Sequence, residues 1–255
     1  SMPNLPPEQL AKALPYQAKE VVPLPLDQVL IDFTPLGPPD PATEMVAGLL
    51  IATPRLPVVA AVEAVERAGL KVARVDLSTF AALRSIADEH LAIEAVIDMG
   101  AHVTNIVIHN HGVPKIVRSV PRGGQELTER LADRIGMEIP QAEMAKRAEG
   151  LIGATTIVDA LLEGIRPLLS EIRSSVHYFE STNSGALLER ISLTGGASGL
   201  PGLAKAMTDQ LGVATGVVQP MQHIRNRLSA KAVRVEGAEQ FATAVSVGLA
   251  MGAAA

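Results

Sequence analysis

Apolar and polar positions alternate with two different periods along the chain, one typical of strands and one typical of helices, and together they predict an α/β protein. Short apolar runs predict strands at 29–33, 45–52, 71–75, 95–98, 105–109, 115–120, 190–194 and 213–218. Apolar residues spaced three and four apart predict helices at 8–22, 58–68, 77–89, 127–135, 155–181, 200–211 and 238–252. Because the two kinds of element alternate without a short-period repeat, we expect an α/β or α+β fold in at least two lobes.

Proline, glycine and short polar residues set the expected boundaries of these elements. Pro15 and Pro167 predict kinks in two helices, because proline lacks the amide hydrogen that a helix interior needs. Gly136 is placed to end the helix at 127–135, and Asp76 is a candidate N-cap for the helix at 77–89. The tripeptide at 110–112 (NHG) predicts a tight turn between two strands.

Composition narrows the classes of function that remain open. The chain has 255 residues, a net charge of −5 and 2% aromatic residues, so it offers neither a positive field nor stacking platforms for nucleic acid. It has no cysteine, which excludes disulfides, cysteine-ligated metals and thiol catalysis and fits a reducing cytoplasm. No segment reaches the ~20 uninterrupted apolar residues of a membrane span, so direct membrane insertion is not expected.

The turn after the predicted strand at 95–98 carries the first candidate site. Asp98 ends that strand, and Gly100 and Ala101 turn the chain toward a second strand that starts near Thr104. Small residues let backbone amides approach a phosphate closely, and a carboxylate at a strand end can hold Mg²⁺, usually through water. Asp and Gly are also common turn formers, so an ordinary structural turn is the alternative interpretation.

A second glycine-rich turn follows the predicted strand at 190–194. The run 193–202 (LTGGASGLPG) leads from that strand toward a predicted helix, with proline near the first helical turn. At Gly195 and Gly196 a flat ring or a ribose phosphate can lie directly on the backbone. The run is neither a Walker A loop nor the spaced-glycine dinucleotide fingerprint. A tight strand–helix turn without a ligand is the alternative here.

The order and separation of the two turns resemble those of the actin/Hsp70/sugar-kinase ATPases. The segment 98–104 (DMGAHVT) resembles the second phosphate loop of that superfamily, and 194–198 (TGGAS) resembles its adenosine motif. Between them, 142–146 (AEMAK) is similar to the segment whose Glu and Lys approach the ribose in bacterial actins. The predicted helices at 77–86 and 241–252 resemble the first and last connecting helices.

This resemblance implies an actin-like, ribonuclease H-like two-lobed ATPase fold that binds ATP or ADP with Mg²⁺. The residues that it implies for nucleotide binding are Asp98, Gly100, Ala101, Thr104, Glu143, Lys146, Gly195, Gly196 and Ala197. Asp98 is also the implied Mg²⁺ site, through water.

Within the superfamily, the chain most resembles the PilM family of actin-like type IV pilus proteins. The segments 14–27 (LPYQAKEVVPLPLD), 120–128 (VPRGGQELT) and 175–179 (SVHYF) carry this likeness. It implies a first lobe to residue 92 with an insertion subdomain at about 1–45. It also implies a second lobe at 93–255 with a small subdomain at about 137–185. The family begins with another phosphate loop, so the chain is expected to lack the N-terminal part of the first lobe and half of the phosphate site.

The PilM resemblance implies a non-catalytic scaffold of the type IV pilus inner-membrane platform, at most a weak ATPase. The implied partners are other platform components and the cytoplasmic tail of a PilN-like single-span membrane protein, which would hold the chain at the cytoplasmic side of the inner membrane. An FtsA-like cell-division protein is one alternative, but the chain end (MGAAA) lacks the basic amphipathic helix of that family. The other alternative is a sugar or carboxylate kinase, although no motif in the sequence supplies the catalytic base that such an enzyme needs near the γ-phosphate.

Plainer structural roles are also open for the polar residues. Glu143 and Lys146, three apart on a helix, are expected to form a surface ion pair in the absence of a ligand. His102, His109 and His111 are expected to be solvated turn residues rather than a metal cluster, since two of them flank a hairpin turn.

Overall fold

The computed structural model describes residues 1–88, 90–183, 185–220 and 237–253, and it divides into the compact units Ser1–Val75 and Asp76–Ala255. The first unit contains β1 (Met2–Pro3), α1 (Pro7–Ala18), β2 (Val29–Pro35), β3 (Met45–Val46), β4 (Gly48–Pro54) and α2 (Arg55–Arg67). Strand β1 pairs antiparallel with β3, and β2 pairs antiparallel with β4 along its whole length. The unit therefore holds two separate two-stranded sheets.

Sequence predictions for the first unit are confirmed in part. Helix α1 forms and contains Pro15, although it ends at Ala18. The apolar run at 45–52 is two strands rather than one, because the chain leaves strand geometry at Ala47, whose carbonyl accepts the N–H of Leu36. The strand predicted at 71–75 is wrong: no ladder partner for it exists among the described residues. Helix α2 forms, but none of its residues is buried.

A mixed five-stranded sheet organises the second unit. Its strands are β5 (Ile93–Met99), β6 (Thr104–Asn110), β7 (Val113–Val120), β8 (Arg190–Thr194) and β9 (Thr215–Val217). They lie in the order β7-β6-β5-β8-β9, with antiparallel pairing on the β7 side of β5 and parallel pairing on the β8 side. His111 and Gly112 both have positive φ, which is the geometry of the predicted tight turn between β6 and β7.

Helices cover both faces of this sheet. They are α3 (Ser78–Ile86), α4 (Gly124–Ile135), α5 (Ile139–Glu149), α6 (Thr155–Thr182), α7 (Leu203–Leu211) and α8 (Ala244–Ala253). Successive residues of a strand point to opposite faces. Ile97 of β5 accordingly joins the main core with α4 to α7, whereas Val96 joins a smaller core with α3 and α8. None of the described helices is both long enough and apolar enough to span a bilayer.

Helices α3 and α8 cross at very close range. A Cβ on Gly248 would overlap the backbone oxygen of Ala81, and Arg84 Nε donates to the Gly248 carbonyl at 3.1 Å. The predicted N-cap is wrong: the N-cap residue of α3 is Leu77, and Asp76 instead accepts its N–H and pairs with Arg84. The units divide at residues 75–76 and the predicted lobe boundary lies at 92–93, so α3 falls between the two positions.

Candidate functional site

The two candidate turns lie side by side at one edge of the five-stranded sheet. Strands β5 and β8 are parallel neighbours, and Asp98 pairs with Thr194 at their carboxyl ends. The N–H of Ala197 donates to the carbonyl of Met99 at 2.9 Å, which joins the turns directly. In open α/β sheets, ligands bind beyond the carboxyl ends of the strands. The structure therefore brings the predicted residues around 98–104 and 194–198 to a single edge.

The paired glycines play different structural roles at this edge. Gly195 has φ +90°, and a Cβ there would lie 2.5 Å from Asp98 Oδ1 and 2.5 Å from the carbonyl oxygen of Met99. A Cβ on Gly196 would meet nothing within 4 Å. Among the described residues, the Gly196 N–H has no acceptor. Gly195 thus lets the two turns approach each other, while Gly196 leaves an open backbone surface.

The carbonyl of Phe241 holds the second turn in place. It accepts the N–H of Gly195 at 2.8 Å and the hydroxyl of Thr194 at 3.0 Å. Helix α7 starts at Leu203, three residues later than predicted, because residues 197–202 form turns that end at Gly202 with φ +80°. The predicted helix start at residue 200 is therefore wrong.

In the first turn, two predicted residues serve the protein itself. The N–H of Gly100 donates to the carbonyl of Val103 at 3.0 Å, and the buried Thr104 hydroxyl donates to the carbonyl of Arg122 at 2.8 Å. The carbonyls of Gly100 and Ala101 accept the N–H groups at the start of α4, at 2.9 and 2.8 Å. These bonds fix the shape of the turn.

The first turn also contains backbone N–H groups that are not bonded to the protein. Within the described chain, the N–H groups of Ala101 and His102 have no acceptor, and both residues are exposed. Adjacent unpaired amides on a tight turn form the kind of concavity that binds an anion. This turn therefore has free backbone donors at Ala101 and His102, whereas the Gly100 N–H and the Thr104 hydroxyl are bonded within the protein.

The electrostatics of Asp98 suit a cation. Burial raises the pKa of the Asp98 carboxyl, and interaction with the side chain of Asn105 opposes that effect. A raised pKa means that ionising this carboxyl is costly where it lies, and a nearby cation would reduce that cost. The role of Asp98 in holding Mg²⁺ through water stays a prediction.

Glu143 and Lys146 form the third part of the site, on helix α5. The Lys146 ammonium lies 2.6 Å from Glu143 Oε2 and donates to Thr128 Oγ1 and to the carbonyl of Gly124 on helix α4. Lys146 is buried, so the pair is more than the surface ion pair that its spacing alone would give. A Cβ on Gly124 would lie 2.8 Å from the Cβ of Ala197, so this network abuts the second turn.

The charge of Glu143 is strongly stabilised. Burial alone would raise its pKa, but hydrogen bonds from Lys146, Thr128 and Arg147, with the charge of Lys146, outweigh burial and lower the pKa from 4.5 to about 2. The carboxylate is therefore ionised throughout the physiological range.

A small notch of about 100 Å³ lies between α5 and the glycine turn. Its lining residues are Glu143, Lys146, Arg147, Gly196, Ala197, Gly199 and Leu200. Ligand pockets commonly measure ~300–1,000 Å³, so this notch alone would hold only part of a nucleotide. Arg147 was not among the predicted site residues; its position four residues after Glu143 on the same helix is the signal that points to it.

The structure corrects the prediction that His109 is a solvated turn residue. His109 is fully buried, and its Nε2 lies 3.0 Å from Glu94 Oε2. Its Nδ1 accepts the N–H of Gly112, so Nε2 carries the proton and donates to Glu94. Ser192 also donates to this carboxylate, as does the N–H of Asp88. These donors keep the pKa of Glu94 below its usual value although burial alone would raise it.

The described residues contain no group of three or more His, Asp or Glu side chains that could together hold a metal ion. The Glu94 network is therefore a hydrogen-bonded part of the sheet. The sequence does contain a signal for the burial of His109. Residues two apart on a strand point to the same face, so His109 shares its face with Val107, which is buried.

Comparison with known proteins identifies relatives over nearly the whole chain. A family model described as type IV pilus assembly protein PilM matches residues 2–254. A chain in the solved PilM–PilN type IV pilus biogenesis complex is 29% identical, with a TM-score of 0.80. That match covers 98% of this chain and 74% of the other.

More distant relatives agree on the fold alone. MreB5 of Spiroplasma citri, solved with ADP, is 14% identical with a TM-score of 0.57, over 78% of this chain and 65% of the other. The ethanolamine utilization protein EutJ of Carboxydothermus hydrogenoformans is 17% identical with a TM-score of 0.51, over 96% and 98%. The prediction of an actin-like α/β fold is confirmed.

Proposed function

This chain belongs to the PilM family of type IV pilus assembly proteins, and from that premise we propose that it is a non-catalytic scaffold that binds the cytoplasmic tail of a PilN-like membrane protein. The observation that carries the proposal is the match to a chain of the PilM–PilN complex, at 29% identity over 98% of this chain. A tail-binding scaffold would lie at the cytoplasmic side of the inner membrane, held there by its single-span partner and by other components of the pilus platform.

Tail binding has a simple physical basis. An extended peptide that docks in a groove gains main-chain hydrogen bonds for affinity and side-chain pockets for specificity. Binding such a partner requires no catalytic group on the scaffold. This is consistent with the edge that joins β5 and β8, where the polar side chains of Thr104 and Lys146 are bonded to the protein itself.

The same proposal includes a nucleotide, ATP or ADP with Mg²⁺, at the edge that joins β5 and β8. The amides of Ala101 and His102 would bind phosphate, Asp98 would hold Mg²⁺ through water, and the adenosine would lie over Gly196 beside Glu143. The nucleotide would supply binding energy that favours one conformation of the scaffold, by no more than its difference in affinity between conformations. Hydrolysis is at most slow in this proposal.

Isothermal titration of the purified chain with a synthetic PilN-like N-terminal peptide tests the central claim. We expect saturable binding at one site per chain, and no heat with a scrambled peptide of the same composition. The titration is repeated with Mg²⁺-ATP present, and a changed peptide affinity is expected if the nucleotide selects a conformation. Absence of heat, together with absence of competition against a labelled peptide, would contradict the scaffold proposal.

A further inference from the structure

We propose that His109 is a pH-sensitive contact: its neutral imidazole holds the turn between β6 and β7 closed, and a second proton on the ring releases that turn. The residues involved lie at the amino end of β5, away from Asp98, and the nucleotide site proposed above uses none of them. The inference therefore depends on no ligand. It follows from the different groups that the two ring nitrogens of His109 contact.

Nε2 of His109 is committed to a buried carboxylate. It donates to Glu94 Oε2 at 3.0 Å, and both side chains are fully buried. Ser192 donates to the same carboxylate, as does the N–H of Asp88 at 2.9 Å. Burial alone would raise the pKa of Glu94, but the hydrogen bonds from these donors outweigh that effect and lower it. Glu94 therefore stays an ionised acceptor over the pH range in which imidazoles titrate.

Nδ1 of His109 is the acceptor that a second proton removes. In the neutral ring it accepts the N–H of Gly112 at 3.1 Å, which ties the turn to a side chain of β6. A doubly protonated imidazole carries a hydrogen on both nitrogens and has no acceptor left. Two donors then face each other, the Nδ1–H of the ring and the N–H of Gly112, so the turn has to move away from the ring.

The turn has an irregular geometry that the bond to Nδ1 helps to hold. His111 has φ +46°, in the left-handed region that residues with a side chain rarely adopt. The ladder between β6 and β7 shifts register between Ile108 and His109, where Lys115 is the extra residue of β7. The N–H of His111 also attaches the turn, by donating to the carbonyl of Ala92 at 2.8 Å. Loss of the bond to Nδ1 therefore removes one of the contacts that keep a left-handed turn closed.

The charged groups nearest to His109 act in opposite directions on its second proton. The carboxylate of Glu94 favours that proton from 3.0 Å. Arg190, the register partner of Glu94 on β8, and Lys115 beside the ring on β7 disfavour it. Both cations are partly exposed, so solvent screens them more than it screens the buried carboxylate. The balance of charge therefore favours protonation, and the bond to Gly112 opposes it.

The other ionisable groups around the ring lie farther along the elements that pack against it. Helix α8 contributes none, because its residues Ala244–Ala253 are all uncharged. The described ionisable residues on or next to the remaining elements are Arg84 of α3, Asp88 and His90 after α3, His111 in the turn, and Glu189 before β8. His90 and His111 are exposed imidazoles that titrate in the same range, so the experiment has to separate them from His109.

NMR of the unliganded wild-type chain between about pH 8 and pH 5 tests the proposal. Long-range nitrogen-15 correlations report the protonation of each ring nitrogen of His109. Amide hydrogen exchange gives the protection factor of Gly112, corrected for the intrinsic pH dependence of exchange. We expect Nδ1 to take up a proton and the protection of Gly112 to fall by ~5–10-fold, the worth of one hydrogen bond. The amide of Asp88, which donates to Glu94 instead, should keep its protection.

Three results would overturn the proposal. A His109 ring that stays singly protonated down to about pH 5 would show that it does not respond to pH in the range of imidazole titration. A ring that takes up the second proton while Gly112 keeps its protection would show that the turn is not coupled to it. Loss of protection throughout the sheet would report acid unfolding of the whole unit rather than release of one turn.

Three variants assign the response to its residue. His109→Gln keeps an N–H donor for Glu94 without a titrating ring, and we expect the protection of Gly112 in it to be independent of pH. His90→Gln and His111→Asn are the matched controls, since each removes an exposed imidazole and asparagine tolerates a positive φ. Both controls should keep the wild-type response. A response that disappears in either control would overturn the assignment to His109, and if His109→Gln does not fold, the wild-type titration decides alone.

Discussion

Replacing Gly195 and Gly196 one at a time tests how closely the two turns approach. Alanine at position 195 places a Cβ 2.5 Å from Asp98 Oδ1 and 2.5 Å from the Met99 carbonyl oxygen, at φ +90°. The left-handed backbone costs about 1–3 kcal/mol for a residue with a side chain. The steric overlap adds about 1–3 kcal/mol, because a backbone oxygen cannot move aside as a flexible side chain can. We therefore expect Gly195→Ala to lower the free energy of unfolding by about 2–6 kcal/mol.

Gly196→Ala is the matched control, made one residue later in the same turn. Its Cβ would meet nothing within 4 Å. We expect its free energy of unfolding to stay within ~1 kcal/mol of wild type, because the new methyl group enters open space and alanine restricts the unfolded chain slightly. Affinity for Mg²⁺-ATP, however, should fall by ~10-fold or more, because the methyl group occupies the surface on which the adenosine is proposed to lie.

Urea unfolding followed by far-UV circular dichroism measures the first effect, and calorimetric titration of the folded variants measures the second. Gly195→Ala with the stability of Gly196→Ala would refute the claim that the turns touch at residue 195. Unchanged ATP affinity in Gly196→Ala would refute the proposed position of the adenosine without affecting the fold argument.

Two further predictions concern buried and half-buried carboxylates. His109→Leu removes a donor from the buried Glu94 carboxylate, so the free energy of unfolding measured in urea should drop by about 3 kcal/mol. The double variant Glu94→Leu/His109→Leu should recover part of that lost stability, because no buried carboxylate is then left without its donor. A His109→Leu variant as stable as wild type would contradict the role of this hydrogen bond. The pKa of Glu143 is about 2 when folded and 4.5 ordinarily, so its stabilisation is complete above about pH 4.5 and is lost as the pH falls toward about 2. The difference in stability between wild type and Glu143→Gln, measured from pH 6 to pH 2, should shrink over that interval, and a constant difference would show that Glu143 does not titrate as described.

Sequence periodicity predicted most elements of the sheet, because burial imposes a period of two on strands and near 3.6 on helices. The stripe at 155–181 is such a case: Ile157, Leu161 and Ile172 are buried in helix α6 as predicted. Periodicity fails where an element depends on distant partners. The apolar segment at 71–75 has strand composition, yet a strand exists only with a neighbour to pair with, and composition carries no information about neighbours.

The candidate site shows the same limit. Its residues could be proposed from two glycine turns and one Glu-Lys spacing, because turn chemistry is local. Their hydrogen bonds could not be predicted in this way, since Lys146 donates to Gly124 and Thr128, which lie 22 and 18 residues earlier. Likewise, His109 is buried because Glu94 and Ser192 from two other strands converge on one point.

The backbone carbonyl of Phe241 connects the turn at Gly195 and Gly196 to the segment just before helix α8. Phe241 lies just before α8, and its oxygen accepts from both Gly195 and Thr194, so both lone pairs of that oxygen are committed. Gly248 of α8 lies directly against the backbone of α3, and Arg84 of α3 donates to its carbonyl, so the helix that follows Phe241 is held close to α3. A shift of the Phe241 carbonyl would weaken both of these hydrogen bonds together, so the position of the glycine turn is coupled to that of the segment that leads into α8.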